Sequence, residues 1–316
     1  MKKLIELLPG VKEKVKLAKY TTFQIGGQAR YFFEAKNKRD LILAIEAAKK
    51  TKTPFFILGG GSNLLFSDKG YKGLIVKIQN SNLEVNGSKI TAGAGLTFGK
   101  LVRFSAEEGL LGLEWGAGIP GQVGGAVFGN AGAFGGSIAD SVKRIEILKT
   151  KSSVEFRWIK KEDCKFGYRD SFLKKNKSFI IFSCELQLKK GDKQKIKEKI
   201  QEYLNYRKKK HPQQPSAGSV FKNINTKKLN SNFLKKFPEA KKVIKENILP
   251  AAYLIDQVGL KGKRIGGVKI SELHPNFIIN LNGGKAEDVL KLIKLVKEKI
   301  RKKFKILLEE EIQILK

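Results

Sequence analysis

The sequence predicts an α+β protein built from more than one domain. Three observations lead there. Helical and strand periodicities are interspersed along 316 residues with no internal repeat. Two segments carry glycine at a density that ordinary loops do not need. A break at His211-Pro212-Gln213-Gln214-Pro215 follows a long charged helical stretch, and paired prolines stop a helix and suggest a domain boundary. A chain of this length suits two or three domains, and 41% hydrophobic residues are enough to fill their cores.

The elements follow in order. Residues 40–50 predict a helix, with Leu41, Ile42, Ala44, Ile45 and Ala48 behind Asp40 as an acidic N-cap. Pro54 to Leu58 is a short apolar run ending in glycines, the pattern of a buried strand. Leu74–Ile78 and Ile90–Ala92 predict further strands, and Phe98–Glu108 a helix closed by Gly109. Arg144–Leu148, Ser153–Trp158 and Phe179–Leu188 predict strands, and Lys193–Lys210 a highly charged helix. Beyond the break, a segment from Ser216 to Asn223 precedes a helix around Pro250–Val258. A long helix from about Ala286 to Phe304 follows, its Val289, Ile293, Val296, Ile300 and Phe304 forming one stripe. A last strand, Leu307–Leu315, contains the acid run Glu309-Glu310-Glu311.

The N-terminus places Glu6 inside its apolar stretch and has no small-residue cleavage site after it, so it does not read as a signal peptide. No apolar run approaches the roughly 20 residues of a membrane span. Cys164 and Cys184 fit a reducing compartment better than a disulfide scaffold. A cytoplasmic protein is expected, without membrane partner or metal. The net charge is +33, from 63 Lys+Arg against 30 Asp+Glu. A basic excess attracts polyanions. These residues are mostly lysines spread along the whole length, and they outline no nucleic-acid-binding module. A Lys-rich solvated surface is the preferred reading over a dedicated nucleic-acid site, and a local patch for a phosphorylated substrate is a third.

The first glycine segment, Gly59-Gly60-Gly61-Ser62-Asn63, directly follows the Pro54–Leu58 strand. Glycines allow sharp turning and close approach to a ligand. Successive peptide N–H groups in such a turn form an anion nest, here the size of a diphosphate. It lacks the Gly-Lys-Ser/Thr ending of a Walker A loop. The second segment runs from Trp115 to Gly136. Gly116, Gly118 and Gly121 match a dinucleotide fingerprint formally, and Asp140 stands about 20 residues on. The match is rejected: Leu110–Trp115 is a weak strand, Pro120 is out of place, and seven glycines between 121 and 136 disfavour an ordinary crossover helix. What survives is a second wall of small residues against which a flat, extended cofactor could lie. Tight structural turns are the alternative for either segment alone; two such segments favour a cofactor.

With these segments in view, the chain resembles the UDP-N-acetylenolpyruvoylglucosamine reductases, flavoproteins of peptidoglycan synthesis. Tyr20-Thr21-Thr22-Phe23-Gln24-Ile25-Gly26-Gly27 resembles the family's opening motif, and Gly59–Leu65 its first FAD loop. Gly118-Ile119-Pro120-Gly121, Gly124-Gly125-Ala126 and Asn130-Ala131-Gly132-Ala133 resemble its second. Gly167-Tyr168-Arg169-Asp170-Ser171 is similar to its Tyr-Arg-x-Ser segment, and Ala217-Gly218-Ser219-Val220-Phe221-Lys222-Asn223 to its catalytic-serine segment. Arg264-Ile265-Gly266-Gly267 and His274-Pro275-Asn276-Phe277-Ile278-Ile279-Asn280 also match. The segments run in the family's order over most of the chain.

The resemblance implies a two-part FAD-binding domain of the vanillyl-alcohol-oxidase type and a C-terminal α+β substrate domain. The corresponding partition is residues 1–75 and 76–190 for the FAD-binding subdomains and 191–316 for substrate, the last strand returning to the first subdomain. The short stretch between Arg169 and Ser219 matches the subtype without an inserted substrate-covering segment. Non-covalent FAD is expected against Gly59, Gly60, Gly61, Ser62, Asn63, Gly118, Ile119, Pro120, Gly124, Gly125, Ala126, Asn130 and Ala131. NADPH is the implied hydride donor and a nucleotide sugar the substrate. Arg169 would stabilise the developing enolate, Ser219 would donate a proton, and Glu311 would stand near the enolate, with Glu309 and Glu310 as alternatives. Tyr168, Arg207, Lys222 and Asn223 are candidates for gripping substrate. The last strand departs from the family: Glu311-Ile312-Gln313 stands where Glu-Val-Arg is usual. Another FAD oxidoreductase on the same scaffold, such as an oxidase of small alcohols, is the alternative enzyme, and a nucleic-acid binder the alternative class.

Overall fold

The computed structural model describes residues 3–151 and 153–315. The chain forms two compact units, each discontinuous in sequence: residues 1–15, 29–60 and 71–209, and residues 16–28, 61–70 and 210–316.

In the first unit a four-stranded sheet has the order Lys12–Lys16, Gln28–Ala35, Tyr71–Ile78, Phe55–Leu58. Tyr71–Ile78 runs parallel to both Gln28–Ala35 and Phe55–Leu58. Parallel strands are covered on both faces and read as continuous apolar runs, and Leu74, Ile75 and Val76 are accordingly 0% exposed. Helix Lys38–Lys50 connects two of these strands and buries Leu41, Ala44, Ile45, Ala47 and Ala48. Its N-cap is Asn37, whose side chain accepts the Asp40 N–H. Asp40 is therefore not the cap; it lies a turn inside and accepts the Lys36 N–H at 2.9 Å.

The second sheet of this unit is antiparallel, in the order Glu155–Lys160, Val142–Lys149, Phe179–Gln187, Lys89–Gly93, Leu83–Asn86. Helix Phe98–Glu107 buries Phe98, Leu101 and Val102, and Gly109 with φ +66° follows it. The glycine-rich second segment contains one short helix, Val123–Phe128, and not an ordinary crossover helix. It is one and a half turns long, and burial of Val123, Ala126 and Val127 offsets the entropy cost of its glycines.

In the second unit an antiparallel sheet has the order Ser216–Ser219, Phe277–Asn280, Val268–Ile270, Arg264–Ile265. Helix Ala286–Phe304 buries its predicted stripe of Val289, Ile293, Val296, Ile300 and Phe304. Helix Ala251–Gln257 contributes Leu254 and Ile255 to the same core. The expected strand Leu307–Leu315 shrinks to Gln313–Leu315, parallel to Leu64–Phe66. The preceding residues make one isolated bridge, Phe221 with Glu310. The chain changes partners between these two contacts, so no continuous ladder forms.

Candidate active site

The second unit gathers three predicted residues around one short crossing of backbone. The N–H of Glu311 donates to the carbonyl of Val220 at 2.7 Å, and that of Lys222 to the carbonyl of Glu309 at 2.9 Å. Ser219, half-buried, directly precedes this crossing. Asn63 joins it: its side-chain amide donates to the carbonyl of Glu311 at 3.0 Å, while its own carbonyl accepts from Gln313 at 2.9 Å. The three acids separate by partner. Glu309 pairs with Lys222 at 3.2 Å and Lys228 at 3.7 Å, and the Lys222 hydrogen bond holds its carboxyl below the usual range. Glu310 pairs with Lys297 at 2.9 Å. Glu311 is the one whose backbone ties it to both Val220 and Asn63.

Two asparagines that sequence reasoning left without a role position the serine segment. Asn276 is 2% exposed. Its amide donates to the Phe221 carbonyl at 2.8 Å, its Oδ1 accepts the Phe221 N–H at 3.0 Å, and its carbonyl accepts the Val220 N–H at 2.8 Å. Asn280 donates to the Phe23 carbonyl at 3.1 Å, while Thr22 Oγ1 donates to the Ser216 carbonyl at 2.7 Å. The opening motif thus braces the strand that ends in Ser219. Gly61 adopts φ +67°, and a Cβ there would collide with the Tyr20 carbonyl, so the first glycine loop is tied to the same motif.

In the first unit Arg169 occupies a tight turn closed by reciprocal Gly167 and Asp170 backbone bonds of 2.9 and 3.1 Å. Its φ is +52°, uncommon for a side-chain-bearing residue and of the kind found at functional positions. The guanidinium donates to the Gly132 carbonyl at 2.6 Å and lies over the exposed Tyr168 ring. Asp170 pairs with Lys175 at 2.5 Å. Asn130 clamps this turn to the second glycine segment: its amide donates to the Gly167 carbonyl at 2.8 Å and its Oδ1 accepts the Ala139 N–H at 3.2 Å.

Arg207 approaches the same segment from helix Lys193–Lys210. Its Nε donates to the Ala117 carbonyl at 2.7 Å, its stem packs on Gly118, and its guanidinium lies 5.1 Å from the Phe134 ring centre. Phe134 in turn stacks on Tyr203 at 4.1 Å. Burial lowers the Arg207 pKa, and the Arg169 charge lowers it further, which places both cations in one electrostatic neighbourhood. Such a pair suits an anionic ligand. Lys222 and Asn223 belong to the second unit: Lys222 pairs with Glu309, and Asn223 Oδ1 accepts the Ala251 N–H at 3.1 Å.

The glycine segments fit a diphosphate-bearing cofactor on structural grounds. Gly60 lies so close to the second segment that a Cβ on it would be 2.5 Å from the Gly121 Cα. The N–H groups of Gly60, Gly61, Ser62 and Asn63 donate to no backbone or side-chain acceptor among the described residues. A Cβ at Gly125 would meet nothing within 4 Å, so space lies open beside this exposed residue of helix Val123–Phe128. Sequence reasoning missed one neighbour, Lys77, whose ammonium donates to the Gly59 carbonyl at 2.6 Å; a single charge inside the apolar run Leu74–Ile78 was the available clue. A surface cavity of about 230 Å³ bounded by Arg157, Trp158, Phe172 and Phe179 includes none of the predicted site residues. Among the described residues no cluster of His, Cys, Asp and Glu could hold a metal, and no helix is long and apolar enough to cross a membrane.

Known proteins resemble the chain along most of its length. Residues 29–155 match the model of an FAD binding domain, and residues 210–315 match that of the C-terminal domain of UDP-N-acetylenolpyruvoylglucosamine reductase. A reductase of that name from Solibacter usitatus is 38% identical over 298 residues, covering 94% of both chains. One from Caldicellulosiruptor bescii is 40% identical over 304 residues, covering 95% of this chain and 88% of its own. The crystal structure of UDP-N-acetylenolpyruvylglucosamine reductase from Thermus caldophilus superposes with a TM-score of 0.76 at 32% identity, covering 97% and 98% of the two chains. The α+β fold, its FAD-binding domain and its glycine walls define an FAD-dependent oxidoreductase. Within that class the chain belongs to the UDP-N-acetylenolpyruvoylglucosamine reductase family.

Proposed function

We propose that this protein reduces UDP-N-acetylglucosamine enolpyruvate to UDP-N-acetylmuramate with NADPH as the electron donor, in the cytoplasm. FAD, held without a covalent bond, supplies the hydride chemistry between NADPH and the terminal enolpyruvyl carbon. The chain's own residues supply position, charge and a proton. Ser219 Oγ gives its proton to the substrate carbon bearing the carboxylate. A hydroxyl is a poor acid, so it acts only on a strongly basic carbon in a tuned setting. Arg169 offers a planar fork to the substrate carboxylate and stabilises the charge that develops there. Glu311 stands by as an acidic partner to the same charge, a role that requires the protonated form. Tyr168, Arg207, Lys222 and Asn223 grip the anionic nucleotide sugar. Gly59 to Asn63 take the diphosphate of the cofactor, and Gly118 to Ala131 form the opposite wall. The net charge of +33 is read as a solvated lysine surface without a dedicated nucleic-acid site.

The observation that carries this reading is the crossing at Val220 and Glu311, which fixes Ser219 and the last-strand glutamate on one support. An anaerobic experiment tests it. The yellow protein is reduced with NADPH, and the enolpyruvyl nucleotide sugar is then added while the flavin absorbance is followed. Rapid reoxidation with formation of the muramate product is expected. Flavin that stays reduced until oxygen is admitted would point to an oxidase instead.

A further inference from the structure

Lys77 is only 9% exposed. It lies one residue from the end of strand Tyr71–Ile78, opposite Glu34 on one side and Leu58 on the other. Its ammonium donates to the Gly59 carbonyl at 2.6 Å and to Gln122 Oε1 at 3.2 Å. An ammonium has three donors. Among the described residues the third finds no acceptor, and no carboxylate comes within ion-pairing distance. Burial lowers its pKa to about 8, and the Glu34 charge opposes that shift only in part. A buried cation without a bonded anion is costly, so it calls for a compensating charge.

Gln122 extends the arrangement. It is 7% exposed, and its amide donates to the Gly95 carbonyl at 2.7 Å. Through Lys77 and Gln122, the start of the first glycine loop is fixed to the turn that opens helix Val123–Phe128 in the second. Gly60, next along the chain, has an N–H without an acceptor among the described residues. A buried cation and an unpartnered peptide N–H in one short stretch are the chemistry of an anion site.

We propose that Lys77 is a positioning residue for the FAD diphosphate, holding Gly59 and Gln122 in register and placing a buried positive charge behind the diphosphate loop. The inference rests on the reading of Gly59–Asn63 as that loop. A protein that merely needed the bond to Gly59 would lose nothing specific when the charge alone is removed.

Flavin-free protein titrated with FAD, and separately with riboflavin, tests both levels. In the unaltered protein FAD should bind far more tightly than riboflavin; equal affinities would refute the diphosphate loop itself and leave Lys77 no anion to serve. Lys77→Met and Lys77→Gln should each weaken FAD by about tenfold or more, the scale of a hydrogen bond to a charged group. Riboflavin affinity should stay within about twofold, since that ligand has no phosphate to engage the charge. The melting temperature of the flavin-free variants should be unchanged or raised, because a buried cation has been removed. Lys77→Arg should recover part of the FAD affinity. Retained FAD affinity in Lys77→Gln would show that only the bond to Gly59 matters. Equal losses for both ligands, or failure of all three variants to fold, would make Lys77 a structural support. Either result overturns the proposal.

Discussion

The side chain of Asn63, in the first glycine loop, donates to the backbone carbonyl of Glu311 at 3.0 Å, joining residues 248 positions apart. The bond is made to backbone, so it fixes the path of the last-strand segment whatever the glutamate side chain does. Asn63→Ala should therefore loosen the pairing of Gln313–Leu315 with Leu64–Phe66. A loss of about 1 kcal/mol in urea unfolding is expected, the usual worth of one such bond. Turnover should fall as well, because the support beneath Ser219 is shared. Unchanged stability would mean that water replaces the amide.

Ser219→Ala separates the two half-reactions. Serine has no part in taking hydride from NADPH, so flavin reduction should proceed at close to the normal rate. The second half-reaction should stall, by the roughly 10²–10⁴ that a general acid contributes. Substrate affinity should change far less, since a proton needed in the transition state adds little to the ground state. Stopped-flow absorbance resolves both steps. A normal second step would transfer the acid's role to Glu311 or water; a failed first step would place the loop against the flavin.

Arg169→Lys should damage turnover although the charge is kept. Lysine cannot present two parallel donors to a carboxylate, and a lost charge-stabilising donor typically costs on the order of 10²–10³ in rate. The variant also loses the guanidinium bond to the Gly132 carbonyl. Steady-state kinetics at saturating NADPH measures the effect, and near-normal turnover would reduce Arg169 to a turn residue.

Lys77 predicts a pH dependence in the flavin-free protein. Its pKa is lowered from 10.5 to about 8 by burial. Between those values the unfolded chain binds more protons than the folded one, so this residue's contribution to stability rises with pH there. That contribution is complete above 10.5 and is lost as the pH falls through about 8. Tyr71, whose pKa burial raises, acts oppositely at the alkaline end. The difference between the unaltered protein and Lys77→Met isolates the lysine. Urea midpoints from pH 7 to about 10 should therefore converge as the pH rises. Parallel curves would mean that Lys77 titrates as an ordinary surface lysine.

Most elements were legible because their information is local. Helix Ala286–Phe304 carries its apolar residues at helical spacing, and the strand Phe55–Leu58 is a compact apolar run next to glycines. Both patterns survive in the fold because burying them needs no particular partner. The N-cap of helix Lys38–Lys50 was misplaced because Asn37 and Asp40 are both good caps, and geometry chose the earlier one. The last strand was overextended because residue type along the chain says nothing about whether a neighbouring strand continues alongside.

The sequence by itself determined the class of fold, the two glycine segments and the family motifs, since these reside in residue type and spacing along the chain. Tertiary structure alone decided how Glu309, Glu310 and Glu311 divide among partners in and around the serine segment. That division depends on bonds to Val220 and Asn63 and on lysines at positions 222, 228 and 297. It also decided that Asn276 braces Phe221, that Lys222 is spent on Glu309, and that Lys77 lies beneath Gly59. Hydrogen bonds and buried charges act over about 3 Å in space with no regard to separation in sequence. Only the folded chain brings those partners within reach.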